Sequence, residues 1–118
     1  MTEPQVTSAI DQLPATEIAD GVQMKALFGT AAMLNLVELG PDAAVPLHSH
    51  PHEQLGFVVS GEIVMTIGGE DHRLGPGGAY TIPGDMEHAG AAGPDGCAVL
   101  DFFHPIREDY RALIEQSS

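Results

Sequence analysis

HSHPHEQ, residues 48–54, runs directly into LGFVVSGEIVMTIGG, residues 55–69. This stretch decides the fold class. Val, Ile, Phe and Thr crowd two short runs, LGFVV and EIVMTI, and Ser60-Gly61 and Gly68-Gly69 punctuate them. Short β-rich runs between turn residues read as strands. The segment ahead of them holds three of the chain's six histidines. His48 and His50 stand at i and i+2. On one extended strand such side chains point to the same side, ~6.5–7 Å apart, so both can reach one ion. Pro51 cannot donate to a strand ladder and breaks the strand. Gln54 then stands at the start of the next strand, where it can complete a site from alongside.

Working outward, the same texture continues. VQMKALF (22–28) and AAMLNLVEL (31–39) precede the turn GPD at 40–42. EDHRL (70–74), AYTIP (79–83) and CAVLDFF (97–103) follow, with GPGG at 75–78 between the first two. Strands at this spacing predict an all-β sandwich or barrel. Only REDYRALIEQ (107–116) has helical spacing, with Tyr110, Leu113 and Ile114 at i, i+3 and i+4. A short C-terminal helix is expected over about 106–116. Residues 1–20 are polar with scattered Pro and read as a flexible arm. Residues 21–118 make a single domain, its barrel over about 22–104. VQMKALF and the arm have no obvious partner within a compact barrel. Exposed strand edges need covering, so a homodimer that exchanges this segment is expected.

The net charge is −13, with only Lys25, Arg73, Arg107 and Arg111 positive. Such a surface repels phosphate backbones and anionic lipid, which excludes nucleic acid and membrane as partners. No apolar run approaches the ~20 residues of a membrane span. MTEPQVTSAIDQLP lacks the basic and apolar regions of a signal peptide. A single cysteine, Cys97, precludes an intrachain disulfide and suits a reducing compartment. A cytoplasmic location is the resulting expectation. A small anionic substrate would have to be met by one of four cations or by a metal.

A fourth metal ligand is sought among His72, His88 and His104. His88 is favoured because it follows the AYTI strand and a Pro-Gly turn that can return the chain to the site. His72, in the polar segment EDHRL, reads as surface. His52 sits between the two ligand groups and suits holding its neighbours by hydrogen bonds.

These residues form paired motifs that resemble those of the cupins. The first cupin motif reads G-x5-H-x-H-x3/4-E-x6-G and is matched by His48, His50 and Gly61, with Gln54 in the place of Glu. Gly40 stands two residues further upstream than the pattern asks. The second reads G-x5-P-x-G-x2-H-x3-N and is matched by Gly77, Pro83 and His88, with Asp85 for the inner Gly and Ala92 for Asn. The resemblance covers about residues 22–104. It implies a six-to-eight-stranded double-stranded β-helix, or jelly roll, with a metal held by His48, His50, Gln54 and His88. Imidazole-rich sites accept Zn, Ni, Mn, Fe or Cu. HSHPHEQ together with LDFFHPIREDY is similar, more narrowly, to the KdgF-type pectin-degradation cupins, whose end segment reads roughly DVFSPPREDY. Those proteins open the ring of unsaturated uronates to a linear keto sugar acid. By that resemblance Asp101, Phe103 and Arg107 would line the pocket with Gln54. His104 stands where those relatives carry a small residue such as Ser.

The residue chemistry agrees with that expectation. Three imidazoles and an amide are all neutral, so the ion keeps its full charge, which favours polarising an anionic oxygen over redox work. In CAVLDFF, Cys97, Val99, Asp101 and Phe103 share one strand face. With that face inward, Asp101 can move a proton and Phe103 supplies an aromatic wall. Arg107 falls near the helix N-terminus, the unfavourable end for a cation, which suggests another task. A guanidinium fork pairs with a carboxylate. The expected function is thus a metal-dependent uronate ring-opening enzyme. The alternatives are another cupin reaction (hydroxynitrile lyase, polyketide-cyclase-like or dioxygenase) or a non-catalytic small-molecule binding cupin.

Overall fold

The computed structural model describes residues 3–117. Eight strands and one helix follow in order: β1 Thr16–Ala19, β2 Val22–Phe28, β3 Met33–Leu39, β4 Ala44–His48, β5 Glu53–Ile67, β6 Glu70–Leu74, β7 Ala79–Ile82, β8 His88–His104 and α1 Glu108–Ser117. All strand pairings are antiparallel. The two long strands, β5 and β8, pair with each other along nearly their whole length, from Glu53↔His104 to Ile67↔His88. The C-terminal half of β8 continues through β3 to β2 and β1, and the N-terminal half of β5 pairs with β7. The other halves pair with β4 and β6. Both halves contribute to one apolar core, with Val37, Val58 and Val99 from the first and Ile63, Met65 and Ala92 from the second.

The all-β class holds, and alternation explains the core. In β3, Met33, Asn35, Val37 and Leu39 are buried, and in β8, Cys97, Val99, Asp101 and Phe103. On β5 the inward set is Gln54, Gly56 and Val58, and then Ile63 and Met65. The parity changes because the register slips between Val58 and Ser60 and again before Ile63. Bulges of this kind bend and twist long strands.

Several expectations need correction. LGFVV and EIVMTI are one strand, because Ser60-Gly61 makes a bulge and not a turn. His48 closes β4, whereas His50 lies beyond it, so the two do not share a strand. β8 begins nine residues before CAVLDFF, at His88, in the Ala- and Gly-rich stretch HAGAAGPDG that propensity disfavours as strand. VQMKALF has partners on both sides, since β2 pairs with β1 and with β3, which removes the reason given for segment exchange. Within the arm, Thr16–Ala19 is that partner strand and Ile10–Gln12 is a turn of 3-10 helix, while Met1 and Thr2 lie outside the described residues. The helix starts two residues later than expected, at Glu108, with Glu108 and Asp109 in its first turn, where carboxylates suit the dipole.

Candidate metal centre

β4 and β8 place two of the imidazoles. His48 stands directly opposite His88 in the ladder, and their ring centroids are 4.3 Å apart. His50 reaches the same point from the loop between β4 and β5. Its position is set by the turn before β8: the Asp85 N–H donates to the His50 carbonyl at 2.7 Å. The chains approach so closely there that a Cβ on Gly84 would stand 2.4 Å from the Pro51 carbonyl oxygen. The His50 and His88 ring centroids are 4.8 Å apart. One nitrogen from each of His48, His50 and His88 lies within 4.8 Å of the others, so the three could hold one metal ion. Gln54, at the start of β5, puts Oε1 3.1 Å from His50 Nε2.

The hydrogen bonds fix the tautomers. Nδ1 of His48 faces the Pro46 carbonyl at 2.7 Å, Nδ1 of His50 the His52 carbonyl at 3.1 Å, and Nδ1 of His88 the Met86 carbonyl at 2.8 Å. A carbonyl only accepts, so each Nδ1 donates, and in the neutral ring each Nε2 is left with a lone pair. Burial above all, then the Arg107 charge, pulls the His50 pKa down to about 4, and burial also lowers that of His88. The Nε2 lone pairs of His50 and His88 are therefore free of protons at neutral pH. His88 Nε2 is buried with no hydrogen-bond partner among the described residues. His50 Nε2 and Gln54 Oε1 confront each other lone pair to lone pair. That is an unfavourable pair by itself and a natural one around a cation, toward which adjacent ligands turn their lone pairs. The residues fit a divalent ion.

Around the imidazoles, a cavity with about 50 Å³ open to the centre of a water molecule is lined by His48, Gln54, His88, Asn35, Asp101 and Arg107, among others. Phe103 meets His50 edge-on at 5.5 Å. Asp101 is buried, and burial pushes its pKa up to about 6 against hydrogen bonds from Tyr80 and Gln54. The Tyr80 hydroxyl donates to Asp101 Oδ1 at 2.8 Å. Arg107 is buried, gripped by Asp109 through Nε at 3.0 Å and Nη2 at 2.7 Å, with its Cζ 3.8 Å from the Tyr110 ring centroid. Its Nη1 is buried and has no hydrogen-bond partner among the described residues.

Residues 35–103 match the Cupin domain family. This chain is a cupin. It is 28% identical over 102 residues to the pectin degradation protein KdgF of Dickeya dadantii (strain 3937), covering 85% of this chain and 93% of that protein. It is 36% identical over 64 residues to the dimethylsulfoniopropionate lyase DddW of Ruegeria pomeroyi, covering 54% of this chain and 42% of that one. The structure of KdgF from Halomonas sp. superposes with a TM-score of 0.82 at 29% identity, covering 92% of this chain and 99% of that one. The cupin fold places every residue singled out from the sequence. His48, His50, Gln54 and His88 converge, and Asp101, Phe103 and Arg107 border them. His52 serves through its backbone carbonyl, on which His50 rests. His72 is exposed beside Glu70, and His104 is exposed at the end of β8.

Sequence reasoning missed Asn35, Tyr80, Asp109 and Tyr110. Asn35 had a signal: a polar residue at a core position of the alternating strand MLNLVEL. Asp109 and Tyr110 lie in the REDY segment beside Arg107.

Proposed function

We propose that this cupin is a metal-dependent isomerase that opens the ring of an unsaturated uronate. His48, His50 and His88 would hold one divalent transition-metal ion, with the Gln54 carbonyl as fourth ligand. Such an ion supplies Lewis acidity toward a substrate oxygen, and the neutral ligand set leaves its charge uncancelled.

The observation that carries the reading is Arg107 Nη1, buried without a hydrogen-bond partner among the described residues of a −13 chain. An unmade hydrogen bond on a buried charged group costs at least about 1–3 kcal/mol, and a carboxylate is the matching acceptor. Asp109 occupies the Nε–Nη2 edge of the fork and Tyr110 one face of it, so Nη1 is the atom left for a ligand. Phe103 and Val99 supply apolar wall that keeps water from the reacting atoms.

The reaction balances without an oxidant or reductant. The anomeric hydroxyl loses its proton and its carbon becomes a carbonyl as the bond to the ring oxygen breaks. The resulting enolate becomes a ketone when the far alkene carbon takes up a proton. Asp101 takes the first proton and returns the second. The similarity to KdgF over 93% of that protein's length supports this substrate class.

The test follows the ring-conjugated ultraviolet absorbance of an unsaturated galacturonate with metal-loaded protein. Loss faster than the spontaneous rate is expected, and a rate equal to it overturns the proposal. The 36% identity to a dimethylsulfoniopropionate lyase favours a second reading, lyase action on a small carboxylate, with Arg107 again holding the carboxylate. Cleavage of dimethylsulfoniopropionate without activity on the uronate would select it.

A further inference from the structure

We infer that Tyr80 and Asp101 are positioning residues for the metal centre: Tyr80 anchors Asp101, and Asp101 turns the Gln54 amide so that its oxygen faces the imidazoles.

A glutamine amide has two ends of nearly the same shape. One carries lone pairs and can ligate, while the other carries two N–H groups and cannot. The last side-chain torsion is broad and roughly two-fold, so the two orientations are close in intrinsic energy. A ligand glutamine therefore needs something to choose between them, where a glutamate would not. Gln54 is only 5% exposed, so bulk water does not make that choice.

Asp101 makes it. Gln54 and Asp101 line the same cavity, and the Gln54 side chain holds the Asp101 pKa down, as an N–H turned toward the carboxylate does. A carboxylate only accepts, so the N–H end must face Asp101, and Oε1 is left 3.1 Å from His50 Nε2. The flipped amide would set its oxygen against a carboxylate and an N–H against the ligand nitrogens.

Asp101 is itself held. Its Oδ1 accepts from the Tyr80 hydroxyl at 2.8 Å, although the two residues lie on strands that do not pair. β5 runs between them, and the residue of β5 in register with both is Gly56. With no side chain there, the Tyr80 ring lies across the β5 backbone and reaches β8. A carboxylate offers about four acceptor sites, so two bonds leave Asp101 able to move a proton as well.

The readout is metal affinity, which requires no substrate and stands apart from the uronate reading. Zn²⁺ is titrated calorimetrically into metal-free protein. Tyr80→Phe is expected to weaken binding roughly 10- to 100-fold, the range for partners that orient a ligand. Asp101→Ala should do the same, and it carries the test if Tyr80→Phe does not fold. In a Gln54→Ala background, where three histidines remain, Tyr80→Phe should weaken binding no further; this non-additivity separates orientation of Gln54 from a general effect on the fold. Parent-like affinity in both single variants overturns the inference, and so does the same loss with or without Gln54. Absence of Zn²⁺ binding by the parent removes the metal centre and the inference together, whatever the substrate proves to be.

Discussion

The ring of Tyr80 occupies the space that a side chain at Gly56 would fill: a Cβ there would stand 2.0 Å from Tyr80 Cζ and 2.3 Å from its hydroxyl oxygen. Gly56→Ala must therefore expel the ring and break its bond to Asp101. Overpacking of this kind costs about 1–3 kcal/mol, readable as a lower denaturant midpoint. The pairing makes a sharper expectation. Once Tyr80→Ala has emptied the space, adding Gly56→Ala should cost little. Equal costs with and without the tyrosine would show that the clash is not the cause.

Metal binding should stabilise the folded chain, because the ligands converge only there. At a free concentration 100 times Kd the gain is about 2.7 kcal/mol, seen as a rise in Tm on adding Zn²⁺ or Ni²⁺. His88→Ala removes the buried, unpartnered Nε2 and should abolish that rise. His72→Ala, at an exposed position beside Glu70, should leave it intact. A metal-dependent Tm shift that survives in His88→Ala would mean the ion sits elsewhere.

Much of this site could be read from the letters because its signals are local or sit at punctuated places. His48, His50 and Gln54 fall within seven residues, and His88 follows a Pro-Gly turn. The face shared by Val99, Asp101 and Phe103 followed from period-two alternation, and the structure buries all three. What escaped depends on register. Tyr80 reaches Asp101 only because Gly56 lies opposite both, and no local pattern tells which residue of β5 meets which residue of β7 and β8. The bulge at Ser60-Gly61 looked like a turn for a related reason. A glycine after a serine signals a break in regular pairing, and only the continuity of the β8 partner shows that the strand goes on. The segment HAGAAGPDG forms the start of β8 against its own propensity, held by β4 on one side and β5 on the other.

The Arg107 fork gives a prediction on substrate binding. Asp109 takes two of its N–H groups, and Nη1 remains for the carboxylate. Lysine keeps the charge but cannot hold Asp109 and a substrate through one rigid plane. Arg107→Lys should lower kcat/KM for a uronate roughly 10- to 100-fold, as loss of about 1.5–3 kcal/mol in a charged hydrogen bond implies, chiefly through KM. Asp109→Asn, at an exposed carboxylate that only steadies the fork, should cost less. An Arg107→Lys enzyme with unchanged KM would release Arg107 from the binding role.

Cys97 gives a pH prediction that needs neither metal nor substrate. Burial first, and the Asp101 charge second, push its thiol from 9.0 up to about 11. A raised folded-state pKa means that the neutral thiol is favoured by folding. The contribution to stability is thus fully present below about pH 9 and is lost as pH rises through 11. Two consequences follow. At pH 8.5, iodoacetamide should alkylate the folded chain roughly a hundredfold more slowly than the urea-unfolded chain, since the thiolate is the reacting form. Between pH 9 and 11 the urea midpoint of the parent should fall more steeply than that of Cys97→Ala. Tyr80 and Tyr110 are also held above their usual range by burial, so their contributions share this sign and appear in both proteins. Only the difference between the two slopes belongs to Cys97, and parallel slopes would place its thiol in water.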